Sequence, residues 1–249
     1  MADKRDKALI LLVDAPIPEK TGQDLKKVFG PERAVHLNLD LMHGSYRAAK
    51  AYREAILILS YEKASKHPDL TWLDPEDPGF LDAKGKSWEE RVSAAFRLAF
   101  FTGAKKAVMI NHLCPAVKPE WISQALSAID DRTVALGATQ DGSFHLLGLT
   151  QDTLRVLEGI SFSSGRTADE LTEKARRLKL SVHALPDTYA VRDEETLRKW
   201  MDSRENEPSL FREPAAAAPE TGPAGDRKHA RARRHSNGSA GQEPQEPAA

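Results

Sequence analysis

The sequence has a single cysteine, Cys114, and no excess of either charge: 36 basic and 37 acidic residues give a formal net charge of −1. One cysteine cannot form a disulfide within the chain, and it leaves a cysteine-based zinc site short of ligands. The charge balance creates no overall field that would favour nucleic acid or an anionic membrane. With 40% hydrophobic and 29% charged residues, the composition is that of an ordinary globular protein.

Long apolar runs are also missing. The first residues, "MADKRDK", are charged, and the run behind them, "ALILLV" at 8–13, is only six residues long. A signal-peptide core needs about 7–15 apolar residues and a membrane helix about 20. We therefore expect no membrane span, and we expect the reducing cytoplasm as the location.

The composition changes near residue 205. From there to residue 249 the sequence contains one Phe and one Leu but no Val, Ile, Trp, Tyr or Met. Such a segment cannot bury enough apolar surface to offset the entropy lost on ordering. We predict a domain at 1–204 followed by a disordered tail at 205–249. The basic cluster at 227–235, "RKHARARRH", could contact nucleic acid or an acidic partner, but without interleaved aromatic residues it favours a solubilising role, and nucleic-acid binding is not expected.

The first 204 residues alternate between short apolar runs and amphipathic segments. The apolar runs predict strands at 8–13, 55–61, 106–110, 133–138, 143–149 and 180–185, with 70–73 as a further candidate. The amphipathic segments predict helices at 22–53 (broken at Gly30-Pro31), 87–103, 119–129, 167–178 and from Asp193 onward. This alternation indicates an α/β fold with a mainly parallel sheet covered on both faces, and "TQDG" at 139–142 predicts one antiparallel hairpin.

Ligands of α/β proteins bind at the carboxyl ends of the strands. Three stretches fall at such positions, namely the first loop at 14–30, the strand end "NHLCP" at 111–115 and the hairpin at 137–149. The sequence contains no P-loop, no G-x-G-x-x-G, no G-x-S-x-G and no H-E-x-x-H motif.

The order of these stretches resembles a bacterial family of glycosyltransferase-like proteins, the selenodomain-associated transferase group, a domain of unknown function with the GT-A nucleotide-diphospho-sugar transferase fold. The resemblance covers about residues 8–200. The strongest matches are "AFRLAFFTGAKKAVMI", the Cys-Pro that follows it, and "ALGATQDGSFHLLGL". The first loop, "APIPEKTGQDLKKVFG", is similar to the family's Ala-Pro-x-Pro-Gly loop.

At the phosphate loop the sequence departs from that resemblance. In the family a lysine opens this loop, and a Lys-Thr-Arg stretch within it is expected to hold nucleotide phosphates. Here Asp14 stands at the first position, and Gly22, Gln23 and Asp24 stand at the others. Two carboxylates in place of cations would repel phosphates by about 1–4 kcal/mol per close charge pair.

The metal positions that the resemblance implies differ as well. Family members carry an Asp before the Cys-Pro and two acidic residues near the carboxyl terminus, all expected to bind a divalent metal. Here Leu113, Ala190 and Arg192 occupy those places, whereas Asp141 and Gly142 of the hairpin are kept. Mg²⁺ usually needs one or two carboxylates together with substrate phosphates. Cation ligands and anion ligands have thus been lost together.

This pattern favours a non-catalytic binding module, a pseudoenzyme of the transferase fold, with no metal and no cofactor. Its ligand would be a nucleotide-sugar or a sugar, and a protein partner is a further possibility. The alternative is an active glycosyl- or nucleotidyltransferase with a relocated or metal-independent site, in which Arg192 or Arg91 serves the diphosphate, or in which Mg²⁺ or Mn²⁺ still binds. The candidate pocket residues are Asp14, Asn111, His112, Asp141, Gly142 and Arg192.

Other residue patterns allow competing interpretations. His112 and Cys114 could form a nucleophile pair, although a lone cysteine is more often a small buried hydrophobic residue. His112, His145 and His183 could converge on a zinc ion, but one sequence does not show convergence. Asp141 could orient a sugar hydroxyl, or it could simply be the turn residue that an Asp-Gly hairpin prefers.

Overall fold

The computed structural model describes residues 4–205 of the chain. The predicted tail lies outside the described residues apart from Glu205, and so does its basic cluster at 227–235. The domain boundary at 204/205 therefore stays a prediction. Within the described residues, no helix combines the length and the apolar character needed to cross a membrane.

The described strands form one sheet. They are β1 (Lys7–Asp14), β2 (Ile56–Glu62), β3 (Leu81–Asp82), β4 (Lys106–Ile110), β5 (Thr133–Ala138), β6 (Phe144–Thr150) and β7 (Ser181–Ala184). Their order across the sheet is β3-β2-β1-β4-β6-β5-β7. All neighbours are parallel except β6, which runs antiparallel to both β4 and β5. This confirms the predicted mainly parallel α/β sheet with an antiparallel hairpin.

The helices lie near their predicted positions. They are α1 (Gln23–Phe29), α2 (Pro31–Ala51), α3 (Trp88–Phe101), α4 (Pro119–Ala128), α5 (Thr167–Arg177) and α6 (Glu194–Glu205). The break between α1 and α2 occurs at Gly30, whose φ of 77° is a conformation that side chains disfavour, and Pro31 then opens α2.

Strand β1 divides its side chains between two hydrophobic cores. Ala8, Ile10 and Leu12 face the core beneath α3 and α5. Leu9 and Leu11 face the opposite core, beneath α2 and α4. Because successive side chains of a strand point to opposite faces, a continuous apolar run is what a strand covered on both sides requires.

The candidate strand at 70–73 is wrong. Those residues form tight turns, in which the amides of Leu73 and Asp74 donate to the carbonyl of Leu70 at 2.8 and 2.9 Å. The carboxylate of Asp69 accepts the amide of Thr71 at 3.1 Å, and such side-chain bonds to the backbone compete with strand pairing. The third strand is instead β3, which pairs with the end of β2.

Candidate functional site

A cavity of about 780 Å³ opens at the carboxyl ends of β1 and β4. The chain leaves β1 toward β2 on one side, and β4 lies on the other side of β1. This reversal of direction is the point at which open α/β sheets bind ligands. The first loop, the start of α3, the end of β4 and the β5–β6 turn all contribute to the wall of this cavity, which we refer to as the switch-point pocket.

The structure brings five of the six candidate residues together. They are Asp14, Asn111, His112, Asp141 and Arg192, and all of them line the switch-point pocket. Gly142 does not line it. It has a φ of 80°, and a Cβ at this position would lie 2.0 Å from the carbonyl oxygen of Gly165. Gly142 therefore serves the turn and its close packing rather than a ligand.

A buried arginine joins the ends of β1 and β2. Asp14 and Glu62 are neighbours in the parallel register, so their carboxylates end adjacent strands at the same edge of the sheet. Arg91, in the first turns of α3, donates to Asp14 at 2.5 Å and lies 2.9 Å from Glu62. Lys20 of the first loop makes a second contact with Glu62. This Arg91 cluster ties the first loop, β1, β2 and α3 together.

Burial dominates the titration of Asp14. Only 8% of the residue is exposed, and the loss of hydration raises the pKa of its carboxyl, although Arg91 acts in the opposite direction. Asp14 is not an uncompensated negative charge, because the guanidinium of Arg91 is bonded to it. The same pairing occupies Arg91, which would have to leave two carboxylates to serve a phosphate.

A second arginine crosses the pocket mouth. The Nη1 atom of Arg192 lies 3.1 Å from the carboxylate of Asp24 in α1. Its Nε atom is also in close contact with the carboxylate of Asp141 in the β5–β6 turn, although without the direction of a hydrogen bond. Asp141 further accepts the hydroxyl of Thr139 and, at 3.3 Å, the amide of Ser143. In this Arg192 cluster, formed by Arg192, Asp24 and Asp141, the guanidinium offsets the negative charge of Asp24, as Arg91 offsets that of Asp14.

The three positions where the resemblance implies metal ligands do meet in space. The amide of Val191 donates to the carbonyl of Leu113 at 2.8 Å, which places the 190–192 segment beside the end of β4. Leu113 packs against the hydrophobic cluster of α1, α2 and α6, and Ala190 is 4% exposed. Neither side chain has an oxygen to offer.

These residues do not fit a divalent cation. Asp141 is the only carboxylate among the four positions, and its oxygens already contact Arg192, Thr139 and a backbone amide. Mg²⁺ or Mn²⁺ would have to displace a permanent guanidinium charge to reach it. Among residues 4–205, no three His, Cys, Asp or Glu side chains are grouped closely enough to hold a metal ion.

The side chains of Asn111 and His112 are both hydrogen-bonded to neighbouring parts of the protein. The side-chain Nδ2 atom of Asn111 donates to the carbonyl of Phe144 at 3.0 Å, and its side-chain oxygen accepts the backbone amide of Leu113 at 3.1 Å. The Nε2 atom of His112 lies 2.9 Å from the side-chain oxygen of Asn38. Burial, helped by the two nearby arginines, lowers the pKa of His112 to about 4, so the imidazole is neutral at physiological pH.

The histidines and the cysteine do not form the other sites that the sequence allowed. His145 lies 3.0 Å from the carbonyl of Pro186, and His183 lies 3.1 Å from Gln124, so neither joins His112. Cys114 is buried, and burial raises the pKa of its thiol. A protonated, inaccessible thiol is a poor nucleophile.

Sequence reasoning missed several partners of these residues. The sequence analysis did not identify Glu62, Lys20 or Asn38 as site residues, although the position of Glu62 in the sequence could have predicted it. Glu62 directly follows the apolar run "AILILSY", as Asp14 follows "ALILLV", and carboxylates that end adjacent parallel strands must lie side by side. Asn38, within a long helix, offered no such signal.

Comparison with known proteins identifies the class of fold. A family profile described as "Uncharacterized protein conserved in bacteria (DUF2064)" matches residues 46–164, somewhat less than half of the chain. A comparison with curated proteins finds no significant match.

Solved structures align over most of the chain. A protein from Desulfovibrio desulfuricans, provisionally assigned as a nucleotide-diphospho-sugar transferase, is 24% identical with a TM-score of 0.72, covering 83% of this chain and 90% of that one. A nucleotidyl transferase from Methanothermobacter is 12% identical with a TM-score of 0.55, over 80% and 99% of the two chains. The 4-diphosphocytidyl-2C-methyl-D-erythritol synthase from Anaerococcus prevotii is 10% identical, also with a TM-score of 0.55, over 82% and 100%.

These likenesses define a protein with the fold of nucleotide-sugar and nucleotidyl transferases. At such low identity they establish the fold alone, and site chemistry must be argued from the residues in the pocket.

Proposed function

We propose that this protein is a non-catalytic, metal-independent binding module built on the transferase fold. One observation carries the proposal: the guanidinium of Arg192 lies between the carboxylates of Asp24 and Asp141, at the place where the resemblance implies a divalent metal. The permanent positive charge of Arg192 offsets the carboxylates here, as a bound metal ion would otherwise do. The single cysteine, kept as a thiol, fits a cytoplasmic location.

Catalysis by this fold, as the resemblance implies it, needs a cation that offsets the charge developing on a leaving diphosphate. Arg192 and Arg91 are both in the pocket, but each forms ion pairs with two carboxylates. The positive charge of both arginines is consequently neutralised by carboxylates of the protein, so that they can stabilise a leaving diphosphate only weakly. The pocket keeps enough volume for a ligand.

Calorimetry with Mn²⁺ tests the metal-independent site directly. The native protein should bind no Mn²⁺ below about millimolar concentration, the range of sites poor in charged ligands. The variant Leu113→Asp/Ala190→Asp/Arg192→Asp should gain affinity, since it supplies three carboxylates beside Asp141. Leu113→Asp alone should gain none, because Arg192 still opposes the ion. Tight binding by the native chain would contradict the proposal.

A second candidate function is a metal-independent transferase in which the arginines stabilise the diphosphate. The position of Arg91 and Arg192 on the pocket wall favours it, and so does the buried Nε atom of Arg91, which has no hydrogen-bond partner. Turnover of uridine, thymidine and guanosine diphospho-sugars in the presence of a chelator would identify this function. Chelator-resistant turnover that is lost in Arg192→Gln would replace the first proposal.

A further inference from the structure

We infer that the switch-point pocket selects an uncharged, ring-bearing ligand of nucleoside size and rejects its phosphorylated forms. This inference rests on the proposed function, because it names the class of ligand that the same pocket binds. Three features of the pocket carry it: the charge balance of its lining, the state of its polar groups and the nature of its remaining surface.

The lining carries slightly more negative than positive charge. Four cationic side chains, Lys20, Lys86, Arg91 and Arg192, stand against five carboxylates, Asp14, Glu19, Asp24, Glu62 and Asp141. Three of the four cations are paired with these same carboxylates. A diphosphate entering this pocket would meet carboxylates held in place and arginines already engaged, so its phosphates gain less than they lose on leaving water.

The polar groups of the floor are also engaged. Asn111 donates to Phe144 and accepts from Leu113, and His112 is paired with Asn38. The hydroxyl of Thr21 donates to the carbonyl of Ile17 at 3.1 Å. Groups that are bonded within the protein contribute little to holding a strongly hydrated ligand.

Aromatic side chains form part of the remaining surface. Trp88 begins α3 at the pocket edge and is 39% exposed, with the guanidinium of Arg91 located 5.4 Å from the centre of its ring. Phe144 and Phe162 meet edge to face at 5.7 Å, and all three rings line the pocket. The amide of Phe162 donates to Glu89 at 3.1 Å, which fixes this loop to the start of α3. Such a wall suits the face of a flat ring.

Matched pairs of ligands test the inference. Uridine, thymidine and guanosine are compared with their 5′-diphosphates by calorimetry on the full chain, in the presence of a chelator and at about 0.15 M salt. At least one nucleoside should bind below about 1 mM and at least about tenfold more tightly than its diphosphate. A diphosphate that binds as tightly as its nucleoside overturns the inference, and so does the failure of all three nucleosides to bind.

Single variants distinguish the contribution of the aromatic wall from that of the charged residues. Trp88→Ala should weaken nucleoside binding about tenfold, whereas Phe101→Ala should not change it, because Phe101 is 88% exposed at the other end of the same helix. Asp24→Asn releases one partner of Arg192 and should improve diphosphate binding more than nucleoside binding. Equal effects of Trp88→Ala and Phe101→Ala, or no gain in Asp24→Asn, would contradict the inference.

These outcomes are distinct from those of the proposed function. Metal binding or chelator-resistant turnover would remove the proposed function without changing the ligand preference measured here. Preference for a diphosphate without metal would remove the ligand preference and leave a non-catalytic module intact.

Discussion

Removing Arg91 should expose how strongly the fold depends on one buried charge. Arg91 is 7% exposed and is bonded to Asp14 at 2.5 Å, with Glu62 at 2.9 Å. Arg91→Met keeps the apolar length of the side chain but removes its charge. Asp14 is then a buried carboxyl without a cation, and it must either stay ionised in a dry site or take up a proton.

The expected loss follows from either route. Breaking a buried ion pair by deleting one partner costs about 3–5 kcal/mol. If Asp14 escapes by protonation, the fold must hold the pKa of its carboxyl further above the unfolded value of about 3.9, and this rise costs free energy at pH 7. The sign of the pH dependence is then fixed: a raised acid pKa destabilises the fold above the unfolded pKa, so the penalty shrinks as the pH falls from 7 to 5.

Urea denaturation followed by circular dichroism at pH 7 and pH 5 measures both quantities. Arg91→Met/Asp14→Asn should recover about 2 kcal/mol or more at pH 7, because no buried carboxyl remains at the end of β1. Arg97→Met, on the exposed side of α3, is the matched control and should change stability by less than about 0.5 kcal/mol. A loss below about 1 kcal/mol in Arg91→Met, or an equal loss at both pH values, would refute the reasoning.

Three further predictions concern stability and access. The pKa of His112 is about 4 in the fold against 6.5 for a free imidazole, so stability should fall by about 3 kcal/mol as the pH drops through that window; His112→Gln should show a smaller fall, and an identical urea profile would contradict this. Gly142→Ala should cost about 2 kcal/mol or more, since φ is 80° and the new Cβ would meet the carbonyl of Gly165; Gly159→Ala, with φ of 75° and open space, is the control and should cost about 1 kcal/mol. Cys114 should react with a thiol reagent only on unfolding, because the thiol is buried and protonated; rapid labelling of the native protein would show that the end of β4 opens.

Local signals predicted much of the fold. Ser87 accepts the amide of Glu90 at 3.3 Å, the bond that a Ser followed by a Glu three residues later predicts at a helix start. The Asp-Gly pair forms the turn between β5 and β6. These features depend on residues a few positions apart, which the sequence presents directly. The prediction of a strand at 70–73 was wrong because it considered the apolar residues without Asp69, whose carboxylate accepts the amide of Thr71 two positions later and favours a turn.

The sequence predicted most residues of the candidate site but not the ion pairs that they form. Asp14 and Arg192 were found because each stands where the resemblance implies a residue of the opposite charge. That Asp14 pairs with Arg91, 77 positions along the chain, and Arg192 with Asp24, 168 positions away, is a property of the folded chain. The sequence predicted which charged residues lie at the pocket, but it did not predict which of them pair with each other.

The sequence by itself determined the helices, all the strands except β3, and their alternation, because apolar period, capping residues and turn residues act within short segments. It also determined that Leu113 and Ala190 bring no metal ligand, since this depends on side-chain chemistry alone. Only the tertiary structure decided that the two arginines of the switch-point pocket pair with its carboxylates. Coulomb energy depends on distances of a few ångströms between residues from distant segments, and those distances exist only once β1, β4, α3 and the 190–192 segment converge.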